Sequence, residues 1–175
     1  MQYGTMADPE AGAARSYFER CDVMLFDPQA DSRHKTTNVL NNLGFRNIFD
    51  ARDMAVAADA SLSDKYDLII ADAGGAKSSI CDMVHGLRQS NFPENPFVGI
   101  ILTTCSPTPE NIRRAMNSGS DHVLSQPFSQ DQIRARINAV VDERKPFVVT
   151  LEYVGPDRRK GGMRVSEIEL IRVPN

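Results

Sequence analysis

Two aspartates hold the chemical interest of this chain. Asp27 ends the apolar run Val23-Met24-Leu25-Phe26, and Asp72 ends Leu68-Ile69-Ile70-Ala71 just before the pair Gly74-Gly75. An apolar run that closes on a single acid and then breaks at glycines reads as a buried parallel strand. Such a strand delivers its last side chain to the carboxyl edge of a sheet, where open α/β folds place their chemistry. An acid there could merely cap the next turn, but two of them, 45 residues apart and in matching positions, favour a functional reading. Two hydroxyls, Thr103 and Thr104, close a further apolar run, and Gln126-Pro127-Phe128 follows another. Other chemistries are poorly served. The segment Gly74-Gly75-Ala76-Lys77-Ser78 lacks the first glycine of a phosphate loop and has alanine before the lysine. Cys21, Cys81 and Cys105 are odd in number and lack metal-ligand spacing, so they read as buried thiols in a reducing compartment, the cytoplasm.

The elements that must position these residues alternate along the chain. Val23 to Asp27 reads as a first strand, followed by a helix through Val39, Leu40 and Leu43 that stops at Gly44; Asp31 is its expected N-cap. Asn47-Ile48-Phe49 is a second strand, Met54 to Ala60 a short helix, and Asp67 to Asp72 a third strand. A helix through Ile80, Met83, Val84 and Leu87 has helical spacing, Phe97 to Thr104 is a fourth strand, and Pro109 to Ser118 is a helix stopped by Gly119. His122-Val123-Leu124-Ser125 is a fifth strand, and Ile133, Ile137, Val140 and Val141 mark the last amphipathic helix. Five β/α units in succession predict a doubly wound, five-stranded parallel sheet of flavodoxin-like order, 2-1-3-4-5.

A chain of 175 residues, 41% of them hydrophobic, can bury one substantial core. The expected organisation is a flexible leader over 1–20, one domain over 21–143 and an extended tail over 144–175. With 20 basic and 23 acidic residues the formal charge is -3, which argues against a general binder of nucleic acid or of anionic membranes. No run approaches the roughly 18 apolar residues of a membrane helix, and no signal-peptide core is visible.

The five-unit pattern resembles the receiver domain of two-component response regulators over residues 21 to about 143. The family has an acidic pair after strand one, a phosphoacceptor aspartate after strand three, Thr or Ser after strand four and Lys-Pro after strand five. Asp27 matches the first acid and Asp72 the phosphoacceptor, and Gly86-Leu87-Arg88 matches the end of the helix that follows it. Counting back without gaps from Gly119 and Pro127 puts the switch hydroxyl at Thr104, with Cys105 at the small position after it; Thr103 would need a one-residue insertion. The resemblance implies a magnesium site formed by Asp27, Asp72 and the backbone carbonyl of Gly74. It also implies a histidine kinase or phosphotransfer protein as partner, and dimerisation through helix four, strand five and helix five, where Arg113, Arg114, Arg134 and Arg136 lie. On composition alone those arginines, like His122, read as solvated.

Four positions depart from the pattern. Pro28 stands where the second acid belongs, Gln126 where the lysine belongs, Gly75-Ala76 where Met-Pro is common, and Val123 at the aromatic switch position. Losing one acid together with one lysine leaves the formal charge of the pocket unchanged. Magnesium tolerates one or two carboxylates because it keeps several waters, so its binding should weaken without vanishing. A neutral amide donates a hydrogen bond about half as strong as a charged one. Tyr153-Val154-Gly155-Pro156-Asp157-Arg158-Arg159-Lys160 resembles a C-terminal element of bacterial receiver proteins; Gly-Pro-Asp is turn chemistry, and the cations that follow offer a small basic patch. The Phe147-Val148-Val149 run could add an edge strand to a partner or fold back on the domain. The expected function is that of a stand-alone atypical receiver, a signalling module rather than an enzyme, acting by protein contact. The alternatives are a phosphorylation-independent scaffold and a small flavodoxin-like nucleotide-binding protein.

Overall fold

The structure, a computed structural model, describes residues 17–63, 65–74, 79–90, 95–159 and 169–172. Its main body runs β1 (Asp22–Phe26), α1 (Ala30–Leu43), β2 (Asn47–Ala51), α2 (Met54–Ser63), β3 (Leu68–Asp72), α3 (Ile80–Arg88), β4 (Gly99–Thr104), α4 (Pro109–Asn117), β5 (His122–Ser125) and α5 (Gln130–Asp142). The five strands are parallel in the order β2-β1-β3-β4-β5, the doubly wound order expected from the sequence. The central strands β3 and β4 are buried at every position, which is why they read as continuous apolar runs.

Alternation along the strands divides the core in two. Met24, Phe26, Ile69, Ala71, Ile100 and Leu102 face α2, α3 and α4, where Ala57, Val84, Leu87 and Ala115 meet them. Val23, Leu25, Leu68, Ile70, Ile101 and Leu124 face the other way, onto Leu40 and Leu43 of α1 and Ile133, Ile137 and Val140 of α5. Local chemistry fixes the helix starts. Thr108 accepts the Asn111 N–H at 3.2 Å ahead of α4, and Ser129 with Gln132 forms a reciprocal capping box ahead of α5.

Three expectations are corrected. Asp31 is not the N-cap of α1: it lies inside the first turn, Gln29 holds the cap position, and Asp27 takes over the local hydrogen bonding. The leader does not reach residue 20, because Phe18 is buried and stacks on Phe45 with ring centroids 4.6 Å apart. The tail is not simply extended. β6 (Phe147–Val149), β7 (Val154–Pro156) and β8 (Glu169–Ile171) form an antiparallel sheet with β6 in the centre.

The tail folds back because the body offers a charge to cover. Arg88, at the end of α3, is fully buried and gives its Nε–H to the Gly119 carbonyl at 2.9 Å. Its Nη1 donates to the carbonyls of Pro96 at 2.5 Å and Val98 at 2.8 Å, and its Nη2 pairs with Asp121 at 3.0 Å. The guanidinium also lies 4.9 Å from the centre of the buried Phe147 ring, with Arg144 at 5.3 Å from the same ring. Burial pulls the Arg88 pKa down to about 10, with Asp121 acting in the opposite sense, so the side chain stays charged at neutral pH.

The Gly-Pro-Asp-Arg-Arg element closes this contact. Gly119 has φ 100°, and a Cβ there would sit 2.5 Å from the Val154 carbonyl oxygen; one on Gly155 would sit 2.8 Å from the Gly119 Cα. Arg158 donates to the Ser120 carbonyl, and Arg159 pairs with Asp157 at 2.7 Å, an ion pair that lowers the Asp157 pKa to about 2. Arg158 and Arg159, two of the three cations expected to form a basic patch, are therefore engaged within the chain, and Lys160 lies outside the described residues. Replacing Arg88 with Ala leaves Asp121 and three carbonyls without their donor, and a loss of about 3–5 kcal/mol in unfolding free energy is expected. Urea unfolding of the variant measures it, and a change below ~1 kcal/mol would contradict the assigned role.

Candidate functional site

The parallel register brings the sequence-derived candidates to one edge. Phe26 lies opposite Ala71, so Asp27 and Asp72, the next residues along, are neighbours at the carboxyl ends of β1 and β3. Asp72 lies opposite Thr103, and Thr104 opposite Ser125, which places Gln126 just beyond. By alternation Asp27, Asp72, Thr103 and Gln126 share the face covered by α1 and α5, whereas Thr104 belongs to the face of α2 to α4.

Asp72 is 7% exposed, and among the described residues its Oδ1 has no hydrogen-bond partner. Burial pushes its pKa up, the charge of Asp27 pushes it further, and only the Gly74 N–H pulls it back. Asp27 is buried as well. Its Oδ1 accepts the Gln29 N–H at 2.8 Å, closing the turn into α1, and its carbonyl accepts Arg33 Nη1 at 2.6 Å. Arg33 is committed in turn to Asp50 at 2.6 Å.

Gln126 is tied on both sides of its amide. Nε2 donates to Thr103 Oγ1 at 2.8 Å, while Oε1 accepts from Ser32 Oγ at 3.0 Å and Cys105 Sγ at 3.1 Å. Thr104 Oγ1 is fully buried and accepts the Ser106 N–H at 3.1 Å; among the described residues no hydrogen bond joins it to either carboxylate. Thr103 is thus the hydroxyl that Gln126 engages, and the strand alternation of Ile101 with Thr103 could have found it. Ser32 carries no comparable signal, because its bond to Gln126 spans 94 residues of sequence. Beside this network a cavity of about 600 Å³ lies between α1 and the start of α5, with Ser32, Lys35, Cys105, Gln126 and Phe128 in its wall.

Cys21 and Cys81 are buried as expected, but Cys105 is exposed, because the chain leaves the sheet immediately after Thr104. Burial raises its thiol pKa first, and then the charges of Asp72 and Asp27, which places the sulfur within the field of both acids. His122 is half-buried rather than solvated, and burial lowers its pKa. Arg113, Arg134 and Arg136 are exposed, while Arg114 is half-buried and reaches the Ala73 carbonyl at 3.4 Å. Gly74 stands beside Asp72 as the resemblance implies; Gly75 to Ser78, where a loose loop and a faint phosphate-loop likeness were expected, lie outside the described residues.

A buried carboxylate oxygen without a partner, next to a second acid, can take a cation or attack an electrophilic phosphorus. Among the described residues no group of three or more His, Cys, Asp and Glu converges on a metal position. Two carboxylates with an unsatisfied oxygen still suit magnesium, which completes its shell with water. Among the described residues no helix is long and apolar enough to cross a membrane.

Comparison with known proteins bears on the fold. No family model matches the chain. It is 26% identical over 125 residues to a probable chemotaxis protein CheY of Rhizobium etli, covering 71% of this chain and 95% of that protein. It is 27% identical over 88 residues to the response regulator protein PmrA of Pseudomonas aeruginosa, covering 50% of this chain and 38% of that protein. The chain therefore spans less than half the length of the second relative. Among solved structures, the signal receiver domain of an HD domain-containing protein from Pseudomonas fluorescens has a TM-score of 0.61 at 22% identity, covering 71% of this chain and 96% of that one. The receiver domain of the sensor histidine kinase PA1611 of Pseudomonas aeruginosa, with a magnesium ion in its active-site cleft, has a TM-score of 0.60 at 17% identity, covering 67% and 94%. The fold is the receiver fold. The homologues and structural neighbours of this chain are CheY-like response-regulator receiver domains.

The raised pKa of Asp72 makes a prediction about stability. Its protonated form favours the folded state, so its contribution is complete below the ordinary aspartate pKa and lost as pH rises through the higher folded value. Asp72→Asn is expected to unfold at a higher urea concentration than the parent at neutral pH, and at the parent's midpoint once the pH is below the usual aspartate range. Equal midpoints at neutral pH would refute the assignment.

Proposed function

We propose that this chain is a receiver module of phosphorelay signalling, in which Asp72 accepts a phosphoryl group and the output passes through protein contacts. The unpartnered Oδ1 of Asp72, buried at the carboxyl edge beside Asp27, supports this reading most directly. In the proposed step Asp72 Oδ1 bonds to phosphorus while the bond to a donor's imidazole nitrogen breaks, and the electron pair leaves with the imidazole, which takes a proton from water. The raised pKa leaves the attacking oxygen more basic than an exposed aspartate. Asp27 and Asp72 would hold a magnesium ion, with the Gly74 carbonyl as the third ligand the resemblance implies, and the ion would supply positive charge against the gathering anions. Thr104, at the end of β4, is the proposed switch hydroxyl, and Gln126 takes the lysine position. A histidine kinase or phosphotransfer protein is the proposed donor.

A second reading, a scaffold that signals without phosphate, is favoured by one observation. The Gln126 amide is already tied to Thr103, Ser32 and Cys105, and turning it toward a phosphoryl oxygen would disturb those bonds. Phosphorylation of Asp72 would then proceed weakly, since a neutral donor already engaged elsewhere replaces a cation.

The deciding experiment is treatment with acetyl phosphate and magnesium, read by intact mass. The expected result is a single phosphoryl adduct on the parent and none on Asp72→Asn. Gln126→Lys is expected to form it on the order of tenfold faster, because a charged donor returns to the pocket. Thr103→Val, which frees the amide, is expected to accelerate it less. An unmodified parent under saturating magnesium would establish the scaffold reading instead.

A further inference from the structure

The hairpin of β6 and β7 presents both a knob and a hole. Its turn is fastened by Thr150, whose N–H donates to the Tyr153 carbonyl at 2.9 Å and whose Oγ1 accepts the N–H groups of Glu152 at 3.3 Å and Tyr153 at 3.0 Å. Leu151, at the tip of this turn, is 100% exposed, and the exposed Glu152 stands beside it. Two residues past the leucine, Tyr153 enters the wall of an open cavity of about 340 Å³, together with Val148, Pro156 and, from the end of α4, Asn117. Tyr153 OH donates to the Pro156 carbonyl at 3.1 Å, and a Cβ on Gly155 would sit 2.6 Å from that phenol oxygen, so the ring is held against its own strand.

The charged residues of the cavity are Asp157, Arg158 and Arg159. Asp157 and Arg159 offset each other through their ion pair. Arg158 donates to a neutral acceptor, the Ser120 carbonyl, and among the described residues no carboxylate pairs with it. The cavity therefore carries a net positive charge and the tip a negative one. A single exposed leucine carries no meaning by itself. Here an apolar tip with its acid matches an apolar wall with its cation, and both belong to one hairpin. We propose that this hairpin is the interface of a two-fold dimer, in which Leu151 of each copy enters the other's cavity and Glu152 meets Arg158 across the contact.

Two-fold symmetry suits this placement. A knob and a hole two residues apart can be exchanged reciprocally about one axis beside the hairpin, whereas the same features on distant surfaces would build an open chain. The bonds of Thr150 order the turn in advance, so docking costs little further chain entropy. The surface does not include Arg113, Arg134 or Arg136, and it does not rest on the function proposed above.

Sedimentation velocity on the full chain, without magnesium or a phosphoryl donor, tests this between ~1 and ~300 µM protein. A contact confined to one hairpin is small and dissociates on dilution. The expected result is a monomer–dimer equilibrium with a dissociation constant on the order of 100 µM, closed at two copies. Leu151→Ser and Glu152→Lys, both at exposed positions, are each expected to weaken it about tenfold or more, while Asp72→Asn leaves it unchanged. A monomer throughout that range, association that continues beyond two copies, or a dimer undiminished by Leu151→Ser or by Glu152→Lys would each overturn the proposal. So would a dimer dissolved by Arg113→Glu and not by Leu151→Ser, since the contact would then lie on α4.

Discussion

A carboxylate kept from water beside another carboxylate is an expensive arrangement, and the site is built around holding it. Asp72 cannot turn to solvent, because it closes a strand buried on both faces, and it cannot retreat from Asp27, because β1 and β3 are hydrogen-bonded neighbours in fixed register. Among the described residues, the Gly74 N–H offsets the repulsion. The two core clusters on either side of the sheet therefore do more than stabilise the fold. They fix two like charges at a separation neither would choose in water, and that stored unfavourable field is what a cation or a phosphoryl group would relieve.

Much of this was legible in the sequence, for definite reasons. Buried parallel strands must be apolar throughout, so Leu68 to Ala71 and Gly99 to Leu102 announced themselves, and glycines at 44 and 119 marked the helix ends. The order of five β/α units then fixed which acids would meet. What stayed hidden depends on side-chain direction and on distant partners. Counting along the sequence favours Thr104 as the switch hydroxyl but carries no sign that Thr103, one residue earlier in the pleat, is the one Gln126 engages. The bonds from Ser32 and Cys105 to Gln126 join segments with no local pattern in common. Asp31 looked like a helix cap because acids near helix starts usually are, yet Asp27, held at the strand end, was already placed to supply that bond.

The C-terminal segment was the least legible part. A run of turn residues and cations reads as solvent-facing, because sequence composition carries no information about what lies opposite. Here the opposite surface is Arg88, buried with four hydrogen bonds and an aromatic face, together with a glycine that lets the chain approach to backbone contact. Gly155 of the motif packs on Gly119 and Arg158 donates to the Ser120 carbonyl, while Asp157 and Arg159 hold each other, a combination that polarity alone would not require.

The Phe147 ring has a practical bearing on anyone who would cut or recombine this molecule. A boundary drawn at the end of α5 would leave out β6, β7 and β8. A fragment trimmed there loses the ring that shields two guanidiniums and would expose Arg88 to water beside an empty apolar shelf. In this protein the unit that can be transplanted intact extends past α5 and includes the antiparallel strands β6 to β8.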